Sequence, residues 1–358
     1  MKGLALALGF DLVGVAPARP APESAFLREW LARGYAGEMQ YLARRPEARA
    51  DPRRVLPGAQ SVVAVALVYD PGERAPAAAA SGEVARYAGG DDYHDVLLDR
   101  LRALGSAVEA LALPAPRTRV YVDTGPVLER VSAALAGLGW IGKNTCLIHP
   151  RLGSYLFLGV LLTDLELEPD VREPDHCGSC RACLDACPTG AFPEAYVLDA
   201  RRCLSYTTIE ARGAIPEELR EGHGHHVFGC DVCQEVCPWN RRTHRERPPD
   251  PLGLRARLTP RPEWVRPALG WILSLDEPGW RGATRGTALR RAKYRGLLRN
   301  ALVASGNSGD PALAPLVRRH AEGPDPLLAE HARWALARLE ARGGPPPVAP
   351  PPPGAGRG

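Results

Sequence analysis

The chain has 358 residues, 45% hydrophobic and 24% charged, with a formal net charge of +4. That is ordinary globular usage with material for two or three domains, and it excludes a disordered, collagen-like or small disulfide-stapled protein. No apolar run approaches the roughly 18 residues of a membrane span, and the longest lie around residues 61–69 and 155–163. Residues 1–10 mimic a signal peptide, but Asp11 interrupts them and no twin arginine precedes them, so the expected location is the cytoplasm.

In chain order, residues 22–33 read as an amphipathic helix, 61–69 as a buried strand and 92–112 as a helix. Residues 118–123 read as a strand, and 126–136 as a helix with Pro126 in its first turn. Residues 145–149 and 154–163 flank a turn at 150–153, which predicts an antiparallel hairpin. A Pro/Ala-rich loop, 71–81, is expected to be exposed. The pattern is α+β, without strict βαβ alternation. A cysteine-rich module follows at 166–245, then a Pro/Arg-rich connector at 241–262. Helices come next at 285–305, 311–322 and 326–341, punctuated like a short stack of repeats. Residues 343–358 form a Pro/Gly tail, expected to be disordered.

Eight of the nine cysteines fall between Cys177 and Cys237. In a cytosolic chain they point to metal or redox chemistry, not disulfides. The first run is Cys177-x2-Cys180-x2-Cys183-x3-Cys187-Pro188. The second is Cys230-x2-Cys233-x3-Cys237-Pro238, with Val227 where an early member would stand and Cys203 as the remaining candidate. In two-cluster ferredoxins the fourth cysteine of each run ligates the other cluster. By that rule Cys177, Cys180, Cys183 and Cys237 hold one four-iron cluster, and Cys187, Cys203, Cys230 and Cys233 the second. Two structural zinc sites are the competing reading; the tight three-cysteine run and the prolines favour iron–sulfur. Cys146 is expected to be unpaired, buried and inert.

Other motifs fail on context. Gly137-x-Gly139-x-x-Gly142 matches a dinucleotide fingerprint but follows a helical pattern, and Asn144 stands where a phosphate-binding loop needs Ser or Thr. A Gly-rich backbone approaching some large cofactor stays open. His223, His225 and His226 read as a polar loop, not a metal site. Asp92-x-His94 begins a cobalamin-ligating motif, but Leu97 replaces its glycine.

The combination of Arg86-Tyr87-Ala88, Asp92-Tyr93-His94, residues 122–127 with Glu129-Arg130, residues 137–144 and the two cysteine runs resembles the epoxyqueuosine reductase family. The stretches 203–210 and 291–300 extend the resemblance over essentially all of residues 1–305. It implies a nitroreductase-like cobalamin-binding α+β core (residues 1–165) and a ferredoxin-like module with two [4Fe-4S] clusters (166–245). A HEAT-like all-α tRNA-binding region (246–342) and the tail (343–358) complete the chain. It also implies reduction of the epoxide in tRNA-borne epoxyqueuosine, with the oxygen leaving as water, by cobalamin fed from the clusters. The matching aspartate, Asp123, is then the proton donor. Such an acid must be pushed above its ordinary range by burial or by hydrogen bonds to its neutral form; local sequence alone reads it equally well as a turn or cap residue. Arg86, Asp123, Gly142, Lys143, Asn144 and Ser205 are the cobalamin candidates. An external low-potential donor of flavodoxin or ferredoxin type and a monomeric, membrane-free protein complete the expectation.

For tRNA, residues 281–300 hold seven cations and no acid. Arg291, Arg295 and Arg299 align at i, i+4, i+8, which is self-repulsive unless an anion lies opposite, so these and Lys293 are the expected phosphate contacts. The alternatives are a cobalamin iron–sulfur reductive dehalogenase and an iron–sulfur electron carrier.

Overall fold

Residues 61–68 are mostly β-branched or small, with Leu67 the one long side chain, and in the computed structural model, which describes residues 1–69, 78, 80–243 and 248–343, they form a strand buried at every position. It lies inside a four-stranded antiparallel sheet whose spatial order is Leu12–Pro17, Ser61–Val68, Leu156–Thr163, Thr118–Tyr121. Both faces are covered because its side chains alternate. Val63, Val65 and Leu67 meet Val96, Leu97, Leu101 and Leu104 of the helix Tyr93–Glu109. Val62, Ala64 and Ala66 meet Ala133 and Ala134 of the helix Glu129–Leu135. Leu101 is fully buried, so truncating it to Ala would cost about 2–5 kcal/mol.

The edge strand approaches the second helix too closely for a side chain. A Cβ on Gly14 would meet the carbonyl of Ala136 at 2.0 Å. That helix ends in a Schellman motif: Gly137, at φ +75°, donates to Ala134 O, and Leu138 donates to Ala133 O. The first glycine of the apparent dinucleotide fingerprint is thus a helix cap.

Several elements differ from the sequence reading. The expected hairpin is not one. Its turn closes through a His149–Gly153 bridge, but Leu147–Ile148 pairs with Trp140–Ile141 while Leu156–Thr163 enters the main sheet. The helix expected from Pro126 starts at Glu129, because Pro126 belongs to the turn carrying Asp123. Residues 2–7, resembling a leader, form a helix whose Ala5 is in the sheet core. Of the loop expected to be exposed, Ser81 is buried and bridges to Ala268, and most of the rest lies outside the described residues, as does the tail beyond residue 343.

A second core joins Val84, Ala88, Val227 and Phe228 to the helices Lys293–Ser308, Ala314–Ala321 and Pro326–Gly343. Leu254 and Leu258, from the connector, pack into the core of the N-terminal sheet. The short parallel pair Glu83–Val84 with His226–Phe228 ties the cysteine-rich segment to the residues just before the helix Tyr93–Glu109. No described helix is long and apolar enough to cross a membrane.

Candidate active site

The strand Thr118–Tyr121 ends in a tight turn that puts Asp123 in the left-handed region at φ +58°, a conformation Asp tolerates better than most residues. Gly125 is required there, since a Cβ would meet the Tyr121 ring at 2.4 Å. The Asp123 side chain is 65% exposed, while its Oδ2 has two protein partners. The Tyr93 hydroxyl donates to it at 2.9 Å, and His94 Nε2 contacts it at 3.2 Å. His94 Nδ1 lies 2.7 Å from Asp92 Oδ1. Asp92 caps the helix Tyr93–Glu109, accepting from the His94 amide, which fixes the two rings in its first turn. The Tyr93 ring is stacked between His94 and Phe157.

These contacts decide the protonation states. Burial alone would push the His94 imidazolium down, but hydrogen bonds to Asp123 and Asp92, with their charges, outweigh it and raise His94 to about 9. Crowding of the site by protein pulls Asp123 upward despite its exposed face, and the hydrogen bonds from His94 and Tyr93 with the His94 charge overcome it and hold Asp123 below the ordinary carboxylate range. The expectation that Asp123 is raised is therefore corrected: it rests ionised against a protonated His94. The proton held near neutral pH sits one hydrogen bond behind it. Glu129 holds another, pushed up to about 8 by burial with the Asp123 charge adding to the effect. Its Oε1 is buried without a hydrogen-bond partner. The sequence reading missed His94, Tyr93 and Glu129 as site residues, although all three stood in the stretches it singled out.

The eight cysteines fall into two groups. Cys177, Cys180, Cys183 and Cys237 line one small cavity with Ile148 and Trp239. Burial, then the neighbouring thiolates of Cys237, Cys177 and Cys180, push the Cys183 thiol up to about 11. Cys230 is pushed up to about 12 by burial, with Cys203 and Cys187 adding, and Cys233 feels Cys203 and Cys230. Cys177, Cys180, Cys183 and Cys237 thus share one cavity, and Cys187, Cys203, Cys230 and Cys233 act on one another electrostatically. A cation bound among such thiols would have to displace their protons and hold them as thiolates. Among the described residues, no three His, Cys, Asp or Glu side chains converge as a single-ion site requires. The Trp140 indole donates to Cys177 Sγ at 3.5 Å and the Ala191 amide to Cys187 Sγ at 3.3 Å, contacts of the kind that tune cluster potentials. Cys146, expected to stand apart, instead shares a hydrogen bond with the Cys233 thiol.

Tyr87 stands between the Asp123 site and the second run. Tyr87, packed against Tyr93 and Phe228, feels the charges of both Asp123 and Asp231, the neighbour of Cys230. Of the eight cysteines, Cys180 is exposed and Cys237 buried, and the others are half-buried. The Lys143 ammonium donates to the carbonyls of Gly178 and Cys180, and Asn144 donates to Cys233 O and accepts from the Cys146 amide. The space a Gly142 side chain would take is filled by Ile148. These three therefore organise the cysteine loops. Arg86 lines a polar cavity with Glu83, Tyr155, Glu235 and Arg266, and Ser205 is half-buried two residues past Cys203.

The cationic helix is corrected. Arg299 is fully buried, and its guanidinium donates to the carbonyls of Ala211, Gly213 and Thr207 and to Asn300 Oδ1. It is out of reach of a phosphate. Arg291 pairs with Glu210 at 2.9 Å and Arg295 with Asp325 at 2.6 Å. The acids missing from the local sequence come from other elements. The i, i+4, i+8 row is also broken, because Arg291 sits in a 3₁₀ turn, Ala288–Ala292, and Lys293 turns the chain at φ +64° before the helix proceeds. Lys293 is exposed.

Comparison with known proteins matches residues 49–124 to the family model described as epoxyqueuosine reductase QueG, DUF1730, and residues 176–240 to a 4Fe-4S double cluster binding domain. The chain is 43% identical to epoxyqueuosine reductase of Pseudomonas aeruginosa over 338 residues, covering 92% of this chain and 91% of that one. It is 40% identical to that of Escherichia coli over 344 residues, covering 94% and 88%. Among solved structures, an epoxyqueuosine reductase with an epoxyqueuosine-modified tRNA-Tyr stem loop superposes with a TM-score of 0.85 at 31% identity, covering 94% and 88%. The Bacillus subtilis epoxyqueuosine reductase, solved with its catalytic aspartate loop swung out of the active site, gives 0.83 at 29% identity, covering 94% and 88%.

Proposed function

The chain belongs to the epoxyqueuosine reductase family, and we propose that it reduces the epoxide of epoxyqueuosine in a tRNA anticodon loop to the alkene of queuosine. The observation that carries this reading is the hydrogen-bonded pair of Asp123 and His94, in a chain whose eight cysteines gather as two sets suited to electron relay. The reaction consumes two electrons and two protons: both epoxide C–O bonds break, a C=C bond forms, and the oxygen leaves as water.

Asp123, His94 and Tyr93 are suited to proton transfer and supply no two-electron reductant for the epoxide. A redox cofactor would supply those electrons, with Arg86 and Ser205 as the side chains proposed to hold it. When bound, cobalamin would supply low-potential electrons and the eight cysteines would hold the two four-iron clusters that refill it.

The chain's own part is the protons. As negative charge develops on the epoxide oxygen, Asp123 Oδ2 relays the His94 proton to it, and Asp92 holds the imidazole in line. Tyr93 fixes the carboxylate. Glu129, protonated at neutral pH, is the source of the second proton. The exposed Cys180 marks the entry for an external low-potential donor. The sheet clasped by helices supports a nitroreductase-like reading of the N-terminal part, and the helices from Lys293 onward a HEAT-like one.

Anaerobically reconstituted protein with cobalamin, a chemical reductant and an epoxyqueuosine stem-loop tests the reading. Mass spectrometry should show loss of one oxygen atom from the modified base; an unchanged base, with full iron loading, would refute it.

A further inference from the structure

With Arg299 buried and Arg291 and Arg295 paired, the RNA needs another cationic surface. One lies at the mouth of the Asp123 turn. Residues 44–54 contain Arg44, Arg45, Arg49, Arg53 and Arg54 against Glu47 and Asp51. Asp51 is taken by Arg53 at 2.8 Å. Arg44, Arg45 and Arg54 are exposed, and among the described residues none of them has an ion-pair partner. The segment is tied to the catalytic turn: Arg49 Nη1 donates to Gly125 O at 3.5 Å and Nη2 to Tyr41 O at 3.3 Å. Tyr41 is an exposed aromatic at this junction, with the Arg291 guanidinium 5.6 Å from its ring centroid and the Asp123 charge reaching its hydroxyl.

Single-stranded RNA loops are bound by stacking unpaired bases on aromatic or guanidinium planes while cations hold the phosphates. Both parts are present here, within one segment in contact with the turn that carries the acid. We propose that the anticodon loop docks on this surface, a loop base stacking on Tyr41 beside Arg291, and Arg44, Arg45 and Arg54 contacting loop phosphates. The proposal rests on the RNA-substrate reading above. It also gives Arg49 a role, linking the docking segment to the Gly125 carbonyl so that the seated loop and Asp123 keep a fixed relation.

The test uses reconstituted holoenzyme and an unmodified stem-loop of the same anticodon, followed by fluorescence anisotropy at several salt concentrations, so that binding is read without chemistry. The triple variant Arg44→Gln/Arg45→Gln/Arg54→Gln should bind more weakly, with its log–log salt slope reduced by about 2, at roughly 0.7 for each lost single-strand contact. Arg285→Gln/Arg290→Gln/Lys293→Gln, on the helical side, should leave the slope within one unit of wild type. Tyr41→Ala should lose roughly tenfold in affinity and Tyr41→Phe should retain it, since stacking needs the ring and not the hydroxyl. Wild-type binding with an unchanged slope in the first triple variant, or a slope lost only in the second, would overturn the docking surface alone. A wild-type protein with no salt-dependent affinity for the stem-loop would overturn the RNA-substrate reading with it.

Discussion

The imidazole of His94 joins the carboxylate of Asp123 at 3.2 Å, and the opposite ring nitrogen is held by Asp92 at 2.7 Å. The proton available near pH 7 therefore belongs to the pair, with the histidine as its reservoir.

The pair fixes a pH dependence. His94 is raised to about 9 and Glu129 to about 8, so both are protonated below those values and lose their protons above them. Turnover should fall on the alkaline side between about pH 8 and 9. His94→Gln should reduce turnover by roughly 10²–10⁴-fold and leave only the Glu129 limb; Glu129→Gln should leave only the His94 limb. A pH–rate profile of each variant checks this, and an alkaline limb unmoved by either substitution would exclude both residues as proton sources.

The same contacts link stability to pH. His94 is raised above its unfolded value of roughly 6.5, so its contribution is complete below that pH and is lost as pH rises through about 9. Asp123 is depressed, so its contribution is present above its unfolded value and is lost as pH falls through the folded one. His94→Gln should destabilise the protein by about 1 kcal/mol at pH 6, the partly exposed pair being screened, and by progressively less above pH 9. Chemical denaturation at the two pH values measures the difference.

Metal content follows from the thiol sets. Anaerobically prepared protein should carry about eight iron per chain and Cys203→Ala about four. Cys187→Ala should damage the cluster of the second run although it lies in the first. Zinc in stoichiometric amount without iron would contradict the assignment.

Arg299 should behave as a structural residue. Arg299→Met would leave the carbonyls of Thr207, Ala211 and Gly213 without their donor, at a cost of roughly 3–5 kcal/mol. Thermal melting should register that loss, while the salt slope for RNA stays at the wild-type value.

The sequence showed some of this and hid the rest for physical reasons. Cysteine spacing is a local property with a sharp rule, and the two thiol sets are legible from it. The run Ser61–Val68 is β-branched or small except for Leu67, so its strand is legible too. The residues 145–163 show two apolar arms around a turn, and nothing local says that the arms join different sheets. The charge row fails because Glu210 and Asp325 approach Arg291 and Arg295 from distant positions, and because helical periodicity cannot report the break at Lys293. The direction of the Asp123 shift depends on a hydrogen bond from a side chain 29 positions earlier. Asp123 could be singled out from sequence, but its neighbours His94, Tyr93 and Glu129, and the protonation of the site, could not.

The central claim is that Asp123 delivers the proton that opens the epoxide. The most direct measurement is single-turnover conversion of an epoxyqueuosine stem-loop by reduced, cofactor-loaded protein, comparing wild type with Asp123→Asn at equal iron and cobalamin content. The account predicts conversion by wild type and a rate lower by roughly 10²–10⁴-fold in the variant, with RNA affinity retained. Conversion by Asp123→Asn at the wild-type single-turnover rate would contradict it.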